Sequence, residues 1–245
     1  MEAYKRLLNY VTILTPSDEN SQTIPSSGCQ FDLARVLEKE MKELGLTDVY
    51  LDDKCYLYGK LPATEGYESC PSIGFIAHMD TVSDFCDHQI RPILTGNYSG
   101  EALDLGNSGL VLDPNVFPHL SSLKGRTLIT SDGTTILGAD DKAGIAEILT
   151  MAEHLINEEI PHGPISVAFT PDEEIGSGAE YFDIDAILEE SHTHDKVTER
   201  FFDLLEEGIQ NAVDAGVLTL GDNSWYINAE TAAIAWRGYV SLDSA

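Results

Sequence analysis

Two six-residue runs, Ser72-Ile73-Gly74-Phe75-Ile76-Ala77 and Ile165-Ser166-Val167-Ala168-Phe169-Thr170, carry no charge and show almost no polar alternation. Runs of this kind read as strands buried on both faces, and such strands need a sheet with helices packed against it. The text between and around them supplies those helices. Phe31, Ala34, Leu37, Met41 and Leu44 fall on one helical face, as do Ala143, Ala146, Leu149, Ala152 and Ile156. Ser27-Gly28-Cys29-Gln30 has the form of a capping box opening the first of these helices, and Gly45 is a natural residue to end it. Val49-Tyr50-Leu51, Tyr56-Leu57-Tyr58 and Thr127–Thr130 read as further short strands. Strands alternating with helices predict an α/β fold: a mixed, mostly parallel sheet flanked by helices. Residues 84–124 are rich in Gly, Asn, Asp and Pro and predict a long irregular excursion. Near Asp185 the pattern changes to a helical one, with Phe201, Leu204, Leu205, Ile209, Ala212 and Val213 in phase.

The chain has 245 residues, and 42 Asp and Glu against 14 Lys and Arg give a formal net charge of −28. A surface so acidic repels phosphate, which excludes nucleic acids and anionic membranes as partners; its plain meaning is solubility. No uncharged apolar run approaches the roughly 20 residues that a membrane helix needs. The first residues, Met1-Glu2-Ala3-Tyr4-Lys5-Arg6, lead into an amphipathic stretch rather than the apolar core of a secretion signal. The four cysteines form no CxxC pair, which suits a reduced cytoplasmic protein.

Three acidic or imidazole clusters each stand at a strand end or helix start. His78-Met79-Asp80 follows the first buried run, Asp172-Glu173-Glu174 follows the second, and Asp140-Asp141 precedes the second helix. Ligands of open α/β sheets bind beyond the carboxyl ends of the strands, so three clusters delivered to that edge can converge. Histidine with carboxylates suits zinc or another borderline divalent metal. Asp80 is placed to accept the second ring N–H of His78. Of the adjacent Glu173 and Glu174, one can ligate a metal while the other takes a proton from the attacking water. Singly, each cluster also reads as a capped turn, a complement to a helix dipole or a solvated loop; together they favour a metal site. Spacing leaves the number of metals open.

Longer motifs surround these clusters. Ile76-Ala77-His78-Met79-Asp80-Thr81, Thr134–Gly144 (TTILGADDKAG) and Phe169–Gly176 (FTPDEEIG) closely resemble the dinuclear-zinc M20 metallopeptidases. The flanking text, with Thr15-Pro16-Ser17-Asp18-Glu19, Phe117-Pro118-His119-Leu120 and Ile160-Pro161-His162-Gly163, is similar to the tripeptide aminopeptidases among them. The resemblance implies that His78 binds one zinc, Glu174 the second, and Asp140 bridges the two. It implies Asp80 as the residue that orients His78, Glu173 as the general base, and a cis Asp140–Asp141 peptide. It predicts a catalytic domain over residues 1–185 and a helix-rich segment of unassigned role over 186–245.

Three family features are not found in the sequence. The Asp-Gly-Gly segment that supplies another ligand has no counterpart; the corresponding region reads Glu189-Glu190-Ser191-His192-Thr193-His194-Asp195-Lys196. The lid domain with its dimer contacts is absent, and no histidine follows His194. Asp195, His192 and His194 are the candidates to substitute as ligands, but they read first as solvent-facing residues near a helix start. Two functions follow as expectations. One is a zinc aminopeptidase that releases the N-terminal residue of a tripeptide. The other is a truncated, catalytically impaired family member with the fold and at most partial metal binding. The partner in the first case is a short peptide, and a homodimer would have to form without the usual lid.

Overall fold

The computed structural model describes residues 1–187, 218–221 and 224–227. The chain divides into two compact units, Met1–Glu189 and Glu190–Ala245. In the second unit, Leu218–Gly221 and Ser224–Ile227 pair as an antiparallel hairpin. The expected helix after Asp185 and the candidates His192, His194 and Asp195 lie outside the described residues, apart from a short helix Ile184–Ile187.

The first unit is built on a four-stranded sheet. Its strands are β1 (Thr47–Leu51), β2 (Leu57–Leu61), β3 (Ile73–His78) and, after the excursion, a strand at Ile165–Thr170. The excursion itself carries short strands, β4 (Ile93–Thr95) to β7 (Leu128–Thr130) in chain order, which makes Ile165–Thr170 β8. The order across the sheet is β1-β2-β8-β3. The expected mixed α/β architecture is what forms, but the parallel share is smaller than expected. Only β3 and β8 run parallel; β1–β2 and β2–β8 are antiparallel. The reason is local: five residues join β1 to β2, and a link that short reverses the chain, whereas a parallel crossover needs a dozen or more.

Three helices cover one face: α1 (Ala3–Tyr10), α2 (Gln30–Leu44) and α3 (Ala139–Asn157). Leu33, Leu37 and Met41 of α2 and Ile145, Leu149 and Ala152 of α3 close on Leu57, Ala77, Val167 and Phe169, all buried. The opposite face holds Tyr56, Tyr58 and Ala168 under Phe182 and Ile187. That is why β8 carries no charge: every one of its six residues is buried, alternately on one face and the other. Gly45 ends α2 in the left-handed conformation, φ 93°, with its N–H on the Lys42 carbonyl and that of Leu46 on Met41. The start of α2 differs from the capping box expected there. No side chain caps it; Ser27 Oγ sits against Cys29 Sγ, and the Gln30 side chain points elsewhere, as described below. Arg6 ties the three helices together from a buried position. Its Nε donates to Glu40 of α2 at 2.7 Å, and its Nη1 to Glu153 and Thr150 of α3 at 2.8 and 2.9 Å.

Candidate active site

β3 and β8 run in step from Ile73↔Ile165 to His78↔Thr170, so both end at the same edge of the sheet. His78 is the last residue of β3. Beyond it the chain stays locked to the neighbouring segments: Met79 N–H donates to the Thr170 carbonyl at 2.8 Å. The Thr15 hydroxyl donates to the Met79 carbonyl at 2.7 Å, and Ser17 and Thr81 exchange backbone bonds with Thr81 and Thr15. The N-terminal stretch Thr15–Ser17 is therefore a strap over His78–Thr81, a role its sequence did not announce.

The ring of His78 has two distinct neighbourhoods. Nδ1 lies 3.0 Å from the Asp80 carbonyl and 3.3 Å from Asp80 Oδ1, both buried. Nε2 faces outward, 3.1 Å from Asp140 Oδ1 and 3.8 Å from Glu173 Oε2. The side chains of Asp140 and Glu173 are 89% and 59% exposed, so this corner of the site opens to solvent. Burial works against a charge on His78, but the carboxylates of Asp80, Asp140 and Glu173 outweigh it and raise its pKa to about 9.

Asp80 does more than sit beside the ring. Fully buried, it accepts the backbone N–H of Glu173 on Oδ1 at 3.0 Å and that of Glu174 on Oδ2 at 3.1 Å. Burial opposes its ionisation, yet His78 and these two N–H groups hold its pKa below the usual value. Glu173–Ile175 form a single 3-10 turn directly after β8. Burial and the charges of Asp80, Asp140 and Glu173 push the Glu174 carboxyl up, against the pull of His78.

Asp140 and Asp141 open α3 in non-helical conformations, with a cis peptide between them. Asp141 Oδ1 accepts the Gly144 N–H at 3.1 Å, and burial raises its carboxyl pKa. Next along, Lys142 is fully buried and donates to the Ile13 carbonyl at 2.7 Å; burial lowers its pKa to about 8. The structure thus brings His78, Asp80, Asp140 and Glu173 into direct contact or near contact. Glu174 joins them through its backbone bond to Asp80. Sequence reasoning passed over Ser26, assigned Gln30 to a helix cap and gave Asp172 no role of its own, yet these three hold the Glu173–Glu174 turn from behind; the signal available was the place of Asp172 at the head of the acidic run.

An imidazole nitrogen turned toward a set of exposed carboxylates is the donor chemistry of a divalent-metal site. The residues present fit a metal: Nδ1 is occupied by Asp80, which leaves Nε2, facing Asp140 and Glu173, as the nitrogen that would hold a metal once it gives up its proton. Among the described residues, no three His, Cys, Asp or Glu side chains form a ready-made cage.

Residues 132–223 match Peptidase family M20/M25/M40. More particularly, the chain is 53% identical over 182 residues to Peptidase T of Exiguobacterium sp., covering 74% of this chain and 44% of that relative. It is 54% identical over 182 residues to Peptidase T of Desulfitobacterium hafniense, with the same coverage. Its fold is similar to the solved tripeptidase of Staphylococcus aureus, with TM-score 0.53 and 25% identity over 76% of this chain and 40% of that one. Against the aminopeptidase PepT of Bacillus cereus the values are 0.51 and 28%, over 74% and 39%. The chain spans less than half the length of these relatives. No described helix is long and apolar enough to cross a membrane.

Proposed function

We propose that this chain is the catalytic part of a metal-dependent aminopeptidase that releases the N-terminal residue of tripeptides. The observation that carries the reading is the arrangement at His78: Nδ1 on Asp80, and Nε2 on Asp140 and Glu173. Similarity to proteins named Peptidase T supports the reaction class, and similarity to a solved aminopeptidase and a solved tripeptidase supports release of the N-terminal residue from a tripeptide. His78, Asp140 and Glu174 would hold the metal, which we take to be zinc, with Asp140 shared if two ions bind. When bound, the metal supplies a Lewis acid that polarises the scissile carbonyl and acidifies a water. Asp80 fixes the tautomer of His78 with its proton on Nδ1 and makes Nε2 the donor nitrogen. Glu173, exposed and next to Nε2, accepts the proton of the attacking water and returns it to the departing amine nitrogen. Asp80 also holds Glu173 by its backbone, so the base and the histidine are referred to one buried carboxylate.

We assign the protein to the cytoplasm, because all four cysteines are free thiols. A second reading, a chain that keeps the fold and binds metal only in part, draws support from the lack of a ready-made cage among the described residues. One experiment separates the two. Zinc titration followed by tripeptide hydrolysis should give tight zinc uptake and turnover on the first reading. Weak uptake without turnover would establish the second.

A further inference from the structure

Asp172 is fully buried and holds a left-handed backbone conformation, φ 55° and ψ 28°, where β8 passes into the Glu173–Ile175 turn. Its carboxylate points away from the metal-site corner. Oδ2 accepts the Ser26 N–H at 2.7 Å; Oδ1 accepts the Ser26 hydroxyl and Gln30 Nε2, the latter at 2.6 Å. All three donors are neutral. In return, Gln30 Oε1 accepts the Asp172 N–H at 3.3 Å, and the Asp172 carbonyl accepts the Ser177 N–H at 3.0 Å. Gln30 is itself fully buried at the first turn of α2. The Ser26 hydroxyl also accepts the Asp18 N–H at 2.9 Å, so this junction continues into the loop beyond the Thr15–Ser17 strap.

The turn that carries Glu173 and Glu174 is therefore gripped from two sides. Asp80 takes its N–H groups in front. Behind it, Asp172 anchors its first residue to α2. We infer that Asp172 is a positioning residue: its clamp on Ser26 and Gln30 sets where the Glu173 carboxylate stands relative to His78. A buried carboxylate among neutral donors is an expensive choice where an apolar residue would serve packing alone. What the carboxylate provides is a fixed orientation for three donors at once, and so for the left-handed residue that aims the turn.

The kinetic part of this inference rests on the peptidase reading above; the structural part does not. Asp172→Asn replaces one acceptor oxygen by an NH2 group, so a donor meets either the Ser26 N–H or Gln30 Nε2. The double variant Asp172→Asn with Gln30→Glu restores the pairing. In it, the new amide at position 172 donates to the new carboxylate at position 30 and accepts from Ser26, and the pair keeps its net charge. Amide exchange should be followed by mass spectrometry in the native chain, the single variant and the double variant, together with zinc affinity and tripeptide kinetics. The single variant should exchange the Glu173 and Glu174 amides about tenfold faster while β8 stays protected. It should lose about 10–100-fold in kcat and in zinc affinity with KM little changed, and the double variant should recover each. Ser26→Ala, which removes only the hydroxyl contact, should move the same quantities less, and it stands in if Asp172→Asn does not fold. Unchanged exchange at Glu173 and Glu174, an equal rise across β8 and α2, or failure of the double variant to recover would each overturn the inference. A native chain that hydrolyses no tripeptide would overturn the proposed function instead, while exchange and zinc affinity still decide the clamp.

Discussion

Asp80 grips Glu174 by the backbone, carboxylate Oδ2 to N–H at 3.1 Å, while its other oxygen takes the neighbouring N–H and lies 3.3 Å from His78 Nδ1. One buried side chain thus links the end of β3 to the turn after β8. Asp80→Asn should break this link, because an amide presents a donor where a donor already points. We expect about 10–100-fold losses in zinc affinity and in kcat/KM, as for other residues that support metal ligands. Calorimetric titration and tripeptide kinetics check both; native values for both would remove Asp80 from its assigned role.

Glu173→Gln and Glu174→Gln should part company. Gln keeps the shape of Glu but cannot accept the water proton, so Glu173→Gln should lower kcat by about 10²–10⁴-fold and leave zinc bound. Glu174→Gln should weaken zinc binding together with rate. Elemental analysis beside rate measurement reads the two assignments, and the reverse pattern would mean that they are exchanged.

The metal-free chain should lose stability as the pH rises from about 6.5 to about 9. His78 binds its proton more tightly in the folded chain, with a pKa of about 9 against the ordinary 6.5. Its protonation therefore contributes stability in full below 6.5, and that contribution disappears as the pH passes 9. Melting temperatures across this window should fall in the native chain and flatten in His78→Asn. Zinc must displace the same proton, so its affinity should rise over the same window. A slope that survives in His78→Asn would belong to another group.

Arg6→Ala should destabilise the first unit by about 2–3 kcal/mol. Removing one partner of a buried ion pair costs about 3–5 kcal/mol, and the one-fifth exposure of Glu40 and Glu153 reduces it here. Urea unfolding measures the difference. A change below about 0.5 kcal/mol would make Arg6 equivalent to a surface charge.

The parts of this molecule that could be read from sequence are those whose signal is local. β8 is legible because burial on both faces leaves an uncharged, largely apolar run. β3 carries the same signal but was misread in one respect: it forms the edge of the sheet and leaves Ile73 and Ile76 exposed, so only its last residues, Ala77 and His78, are buried. His78, Asp80 and Glu173 are legible because they stand within three residues of the ends of those runs. The strand directions of β1 and β2 were also available in the five-residue link between them, a signal that alternation with helices overshadowed. Gln30 was misread for the opposite reason. Its spacing from Ser27 fits a capping box, but a partner 142 positions away claims its amide. Asp172 was hidden by composition: among 42 acidic residues, a place at the head of an acidic run does not by itself mark a side chain that folding will bury.

The in-step ladder between β3 and β8 also sets how the protein can be altered. Shifting either strand by one residue turns every side chain to the other face, and here it would carry His78 away from Asp140 and Glu173 as well. Insertions or deletions between Ile73 and His78, or between Ile165 and Thr170, would scramble hydrophobic core and reactive corner in the same stroke. Engineering of this scaffold should accordingly vary residue identity within these two strands and place every change of length in the excursion between them.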